Sequence, residues 1–156
     1  MTRTNAMRLL DAAGVAYRTA EYPWDEQDLS GVHAAAALGL PAEQVFKTLV
    51  ARGDRTGPLV CCIPVAAELD LRKAAAASGN KRVEMLPLRE LTGLTGYLRG
   101  GCSPIGMKKR LPTYLDETAA LFPEIAVSAG ARGCQLLLDP AALLAYTAAR
   151  EADLTE

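Results

Sequence analysis

Two apolar runs joined by a tight polar turn constrain this chain more than any other feature. Residues 45–50 (VFKTLV) and 59–65 (LVCCIPV) are each of strand length and rich in β-branched residues. Between them, Gly53-Asp54-Arg55-Thr56-Gly57 has the composition of a hairpin connection, so an antiparallel pair is predicted. A second pair is predicted at 124–128 and 134–138, around Gly130-Ala131-Arg132-Gly133. Parallel neighbours need long crossovers, so tight turns favour a mixed α/β (α+β) sheet over a doubly wound parallel one.

Helical signals are interspersed with these strands. Thr4 or Asn5 can cap a helix over 4–13 that Gly14 stops, and a second runs over 30–38 to Gly39. A third is predicted over 68–78 with Gly79 closing it, and Asp139 caps a last helix that has Pro140 at its first position. Shorter elements are strands at 15–22, 81–86 and 113–116 and helical turns at 41–44, 87–91 and 117–121, the last capped by Asp116. The 156 residues, 50% of them hydrophobic, suffice for one core but not comfortably for two, so a single domain over 1–156 is expected.

Charge and cysteine usage exclude several classes. Lys plus Arg is 17 against 18 for Asp plus Glu, which rules out coating nucleic acid by bulk charge but leaves room for a local basic patch. Cys61, Cys62, Cys102 and Cys134 show no CxxC or Cys/His ligand spacing and read as reduced thiols of a cytoplasmic protein. No apolar signal core opens the sequence, and no run approaches the roughly 18–20 residues of a membrane span. No membrane partner, metal or cofactor is expected.

The most pointed side chain is Lys47, a lysine inside a run that otherwise reads as buried. Either its ammonium reaches solvent by snorkelling or outward alternation, or it serves a ligand. Thr48 beside it can bond a ligand or merely favour the strand. The stretch Gly100-Gly101-Cys102-Ser103-Pro104-Ile105-Gly106-Met107-Lys108-Lys109-Arg110-Leu111-Pro112 is a glycine-rich loop followed by a basic step. Such a loop can bring bare backbone N–H groups close to an anion or carbonyl. Cys102 and Ser103 are nominal nucleophiles without a base nearby, so they read as loop-lining residues. Lys108, Lys109 and Arg110 form either a solvated face or a phosphate-binding one, and Arg132 is a turn residue or a phosphate contact. Tyr22 and Trp24 flank Pro23 and can wall a pocket, or form core and rim. His33 is the only histidine and lies in an alanine-rich helix, which leaves no triad or metal cluster to build.

Several segments taken together resemble one family. Val45-Phe46-Lys47-Thr48-Leu49, Thr95-Gly96-Tyr97-Leu98, Gly100-Gly101-Cys102-Ser103-Pro104-Ile105-Gly106, Lys108-Lys109-Arg110-Leu111-Pro112 and Ser128-Ala129-Gly130-Ala131-Arg132-Gly133 stand in the order seen in YbaK-type Cys-tRNA(Pro) deacylases. These are free-standing relatives of the editing domain inserted in bacterial prolyl-tRNA synthetases. The resemblance spans roughly residues 4–150 and implies a curved, barrel-like mixed β-sheet surrounded by helices. It implies hydrolysis of the ester between a mischarged amino acid and the tRNA 3′-terminal adenosine, with prolyl-tRNA synthetase as a partner. Catalytic roles then fall to Lys47 and Gly101, and substrate contacts to Tyr22, Thr48, Gly100, Cys102, Ser103 and Pro104. RNA contacts fall to Lys108, Lys109, Arg110 and Arg132. Gln135 stands where some relatives carry an aspartate. An Ala-tRNA(Pro) deacylase of the same fold and a non-catalytic aminoacyl-tRNA or synthetase-binding module are the competing readings.

Overall fold

The computed structural model describes residues 2–156. In chain order its elements are α1 (Asn5–Ala13), β1 (Arg18–Glu21), α2 (Gly31–Leu38), β2 (Phe46–Gly53), β3 (Gly57–Pro64), α3 (Leu71–Ser78) and β4 (Val83–Met85). They continue with α4 (Leu91–Thr95), β5 (Thr113–Asp116), β6 (Ile125–Ala131), β7 (Cys134–Leu138), α5 (Pro140–Thr147) and β8 (Arg150–Ala152). Short 3₁₀ turns occupy Ala42–Gln44, Leu88–Glu90 and Glu117–Leu121.

Both expected hairpins are present. β2 and β3 pair antiparallel from Phe46 opposite Pro64 to Gly53 opposite Gly57. β6 and β7 pair antiparallel, with a register shift between Ser128 and Ala131. The first hairpin lies inside a five-stranded sheet of order β4-β2-β3-β5-β8, and the second inside a three-stranded sheet of order β1-β7-β6. The sheets meet where Val45 forms an isolated parallel bridge with Ala126. A mixed sheet arises because β5 lies parallel to β3 and β8 parallel to β5.

This arrangement leaves a gap on one edge of β2. β6 meets that edge at Val45, and β4 meets it only from Ala51 to Gly53, with Leu86 N–H donating to the Val50 carbonyl. Among the described residues, 46–49 therefore have a strand partner on the β3 side and none on the other. The largest apolar cluster packs α1 (Ala6, Met7, Leu10) against Val60, Leu115, Ile125 and Leu136. A second cluster seats α3 on the five-stranded sheet with Leu154, and a third lies under α2.

Side-chain caps set the helix starts. Thr4, Ser30, Asp70 and Asp139 each accept a backbone N–H of the first turn, as Ser/Thr/Asp caps do. α3 begins three residues later than expected because Asp70 is its cap and the Asp70 N–H is committed to the Leu154 carbonyl. β1 is shorter than 15–22, starting at Arg18. β8 was not expected, since Arg150-Glu151-Ala152 carries no apolar alternation. It is held in place by burial of Leu154, whose N–H donates to the buried Asp116 carboxylate at 2.9 Å.

Candidate active site

The gap in the β2 edge opens onto a cavity of about 370 Å³, within the range of small-ligand sites. Residues 45–50 form one wall. Ser30, Gly31 and Ala34 at the start of α2 form a second, and Arg99, Gly100 and Cys102 of the glycine loop form a third. Ser128 and Gln135 of the β6–β7 hairpin close the end, and Tyr22 stands at the rim. Lys47 and Arg99 are its charged residues, and no aspartate, glutamate or histidine lines it. Lys47 is half-buried and has no ion-pair or hydrogen-bond partner among the described residues. A lysine uncommitted on a cavity wall is poised for an anionic or carbonyl-bearing ligand.

Glycines determine how close the walls come. Leu98 accepts from the Gly101 N–H at 3.0 Å, making a turn in which Gly100 has φ 84°. That dihedral favours glycine there, and a Cβ built at Gly100 would also press on the Leu29 side chain at 3.2 Å. A Cβ at Gly101 would lie 3.1 Å from the Arg132 N and 3.2 Å from the Ala131 C, so the loop rests directly on the hairpin backbone. At Gly133 a Cβ would lie 2.6 Å from Trp24 Cδ1 and 2.8 Å from the Tyr22 carbonyl oxygen. The Tyr22 N–H donates to the Gly133 carbonyl at 3.0 Å, which fixes Tyr22 at the rim.

The structure gathers some expected residues and separates others. Tyr22, Lys47, Thr48, Gly100 and Cys102 line the cavity together. Gly101 is buried just behind the wall, its N–H already donated to Leu98, so its part is to hold the loop against the hairpin. Ser103 is fully buried, and its Oγ accepts from the Ile105 N–H at 3.2 Å, a turn bond rather than a substrate contact. Pro104 faces a separate shallow concavity with Leu9, Lys109, Arg110 and Tyr146. Lys108, Lys109 and Arg110 are exposed and lie outside the cavity. Arg132 donates from Nε to the Arg99 carbonyl at 2.9 Å and sits 5.5 Å over the Trp24 ring, beside Tyr22. Trp24 is 48% exposed, rim rather than core.

Among the described residues, no histidine or carboxylate base lines the cavity. Burial pushes the Cys102 thiol up to about 11, opposed by a hydrogen bond with Thr95, so it stays protonated at neutral pH. His33 Nδ1 lies 3.7 Å from Asp28 Oδ2, and His33 does not line the cavity. Thr48 Oγ1 lies 3.9 Å from Cys62 Sγ. Arg99, Ser128 and Gln135 were not among the residues expected to act here. Gln135 does leave a sequence signal of the same kind as Lys47: a lone polar residue in an otherwise apolar strand, CQLLL.

A mixed-sheet fold with a cationic, carboxylate-free cavity walled in part by a glycine loop is chemically suited to anionic or carbonyl-bearing ligands. The chain belongs to the aminoacyl-tRNA editing domain family, which it matches over residues 29–146. It is 52% identical, over 98% of its length and 93% of the relative's, to an Enterococcus faecalis protein named as a Cys-tRNA(Pro)/Cys-tRNA(Cys) deacylase. Among solved structures it is similar to one described as a trans-editing enzyme for prolyl-tRNA synthetase, with a TM-score of 0.84 and 30% identity over 99% of each chain. A hypothetical protein shares the fold at TM-score 0.86 and 23% identity, over 96% of this chain and 97% of that one. Among the described residues no helix is long and apolar enough to cross a membrane.

Proposed function

We propose that this chain is a cytoplasmic, single-domain trans-editing hydrolase that deacylates Cys-tRNA(Pro), and Cys-tRNA more generally, at the 3′-terminal ester. The observation that carries this reading is the uncommitted Lys47 ammonium in a cavity that holds no base. An aminoacyl ester is already activated, so the site must supply orientation and charge stabilisation rather than a strong nucleophile.

The substrate's own thiol supplies the missing nucleophile. Its sulfur attacks the ester carbonyl, the C–S bond forms as the C–O bond to the ribose breaks, and the thiol proton passes to the departing 3′-oxygen. Water then opens the thiolactone to free cysteine. Lys47 stabilises the charge developing on the carbonyl and orients the terminal nucleotide. Backbone of the Gly100–Cys102 segment lies against the same oxygen, held there by the contact of Gly101 with the hairpin. Arg132 contacts the RNA beside Tyr22, and the exposed Lys108–Arg110 step lies on its outer approach. The near-even charge of the chain gives weak, salt-sensitive affinity for tRNA. Selection of the tRNA then belongs to prolyl-tRNA synthetase, a partnership supported by the description of the structural relative.

The test is ester loss from tRNA(Pro) charged with cysteine, serine, alanine or proline. Cysteine should be cleared and the other three spared. Serine cleared as fast as cysteine refutes the thiol route, alanine cleared preferentially gives an Ala-tRNA(Pro) deacylase, and binding without turnover gives a non-catalytic module. Lys47→Ala should lower kcat/KM by roughly 10²–10³, and near-normal turnover would remove Lys47 from the site.

A further inference from the structure

The chain's one tryptophan stands outside the candidate active site, in a concavity whose lining includes Glu21, Tyr22, Pro23, Arg132 and Gly133. The Arg132 guanidinium lies over the Trp24 ring, 5.5 Å from its centroid, and Trp24 remains 48% exposed. Both side chains are held before anything binds. Arg132 Nε donates to the Arg99 carbonyl at 2.9 Å, and Trp24 rests so close to Gly133 that a Cβ there would meet Cδ1 at 2.6 Å. A fixed aromatic surface beside a fixed cation costs little entropy to engage. Such a pairing suits a nucleotide, whose base has a π-face and whose phosphate is an anion.

The concavity adjoins the cavity that contains Lys47. Tyr22 lines both, and the hydrogen bond from Arg132 ties the second to Arg99, which lines the first. An amino acid esterified to RNA brings the strand with it, and that strand must leave the cavity over some part of its rim. Met85 and Leu88, also exposed in the cavity lining, are apolar and offer a phosphate no side-chain donor. The way past Tyr22 leads to Arg132, whose planar fork of N–H groups matches a phosphate. Glu21, the one carboxylate among the described residues of the concavity, is no seat for that phosphate. It can instead accept from an exocyclic base amine such as the N4 of cytosine.

We propose that this concavity is a second nucleotide subsite: the cytosine that precedes the terminal adenosine of tRNA stacks on Trp24, and the adjoining phosphate lies against Arg132. The proposal rests on the Lys47 cavity taking the aminoacylated 3′ end. Trp24 is then a binding residue that grips the RNA end whatever amino acid it carries. Discrimination among amino acids stays with the first cavity.

Trp24 is its own reporter, because the chain has no other tryptophan. The wild-type protein is titrated with tRNA(Pro) ending in 3′-(L-cysteinylamino)-3′-deoxyadenosine, a non-hydrolysable amide, and with the same tRNA made abasic at the penultimate nucleotide. The intact tRNA should quench the tryptophan emission at saturation. The abasic one should bind about five- to a hundredfold more weakly, the range of one base–aromatic stack. Trp24→Ala, followed by filter binding, should lose that abasic penalty, and Trp24→Phe should keep most of it. A ring that merely supports the fold would move both tRNAs alike and leave the penalty intact. Emission unchanged by the intact tRNA, no abasic penalty in the wild type, or a penalty undiminished in Trp24→Ala overturns the proposal. If circular dichroism shows Trp24→Ala unfolded, the wild-type emission and abasic penalty decide alone. A protein that shows the stacking yet leaves Cys-tRNA intact would refute the hydrolase reading and leave the subsite standing. Cys-tRNA cleared without stacking would refute the subsite only.

Discussion

Replacing Gly101 with alanine tests how the cavity is built, with Gly93→Ala as its counterpart. Gly101 does not have a positive φ, so the substitution carries no dihedral penalty and acts through contact alone. The new Cβ would meet the Arg132 N at 3.1 Å, the Ala131 C at 3.2 Å and the Ala131 Cα at 3.4 Å. All three are backbone atoms of the β6–β7 hairpin, so neither partner can turn a side chain away. The loop must retreat by a few tenths of an ångström, or the hairpin must. Overpacking against rigid neighbours costs about 1–3 kcal/mol, which at this chain length lowers Tm by roughly 3–10 °C. The same retreat moves Gly100 and Cys102, which wall the cavity opposite Lys47, and a displacement of that size should lower kcat/KM on the order of tenfold. Gly93, inside α4, has nothing within 4 Å of its Cβ position and no positive φ. There alanine should stabilise by about 0.5–1 kcal/mol through helix propensity and leave turnover unchanged. Thermal denaturation by circular dichroism and Cys-tRNA deacylation read both variants. An unchanged Tm and wild-type turnover in Gly101→Ala would refute the idea that loop and hairpin backbones fix the cavity wall.

Three further outcomes are expected. Cys102→Ala should keep turnover within about threefold, because a thiol pushed up to about 11 is not a nucleophile at neutral pH; iodoacetamide should label Cys102 appreciably only as pH rises toward that value. Asp54 accepts from the Arg82 and Lys81 N–H groups, the Arg82 bond foremost in holding its carboxyl below the ordinary 3.8. A depressed carboxyl contributes stability above its unfolded value and loses it as pH falls through the folded one. The wild-type chain should therefore destabilise more steeply than Asp54→Ala below pH 3.8 in urea titrations followed by fluorescence. Arg132→Ala should weaken tRNA binding at low salt and reduce the slope of log K against log salt by about one; an unchanged slope in filter binding would take Arg132 off the RNA path.

Much of the site was legible because its signals are local. Lys47 stands out since a lysine in an apolar strand is costly without a purpose, and the cavity shows it uncommitted. Gly100 is legible since a loop of three glycines needs positive φ somewhere, here 84°. The loop was less legible residue by residue. Ser103 and Pro104 sit in the same motif, yet one is committed to the Ile105 N–H and the other faces a different concavity. A glycine-rich loop reverses direction within a few residues, and spacing along the chain does not say which of them meets the ligand.

The sequence alone determined the two hairpins, the capped helices and the oddity of Lys47, since each depends on dihedral preference, side-chain capping or burial within a few residues. Tertiary structure alone decided that β5 and β8 extend the sheet in parallel, that the β2 edge stays open over 46–49, and that Gln135 faces the same cavity. These facts depend on which distant segments cover an edge or meet a face. The bridge between Val45 and Ala126 joins residues far apart in the chain, and no local pattern in either segment specifies it.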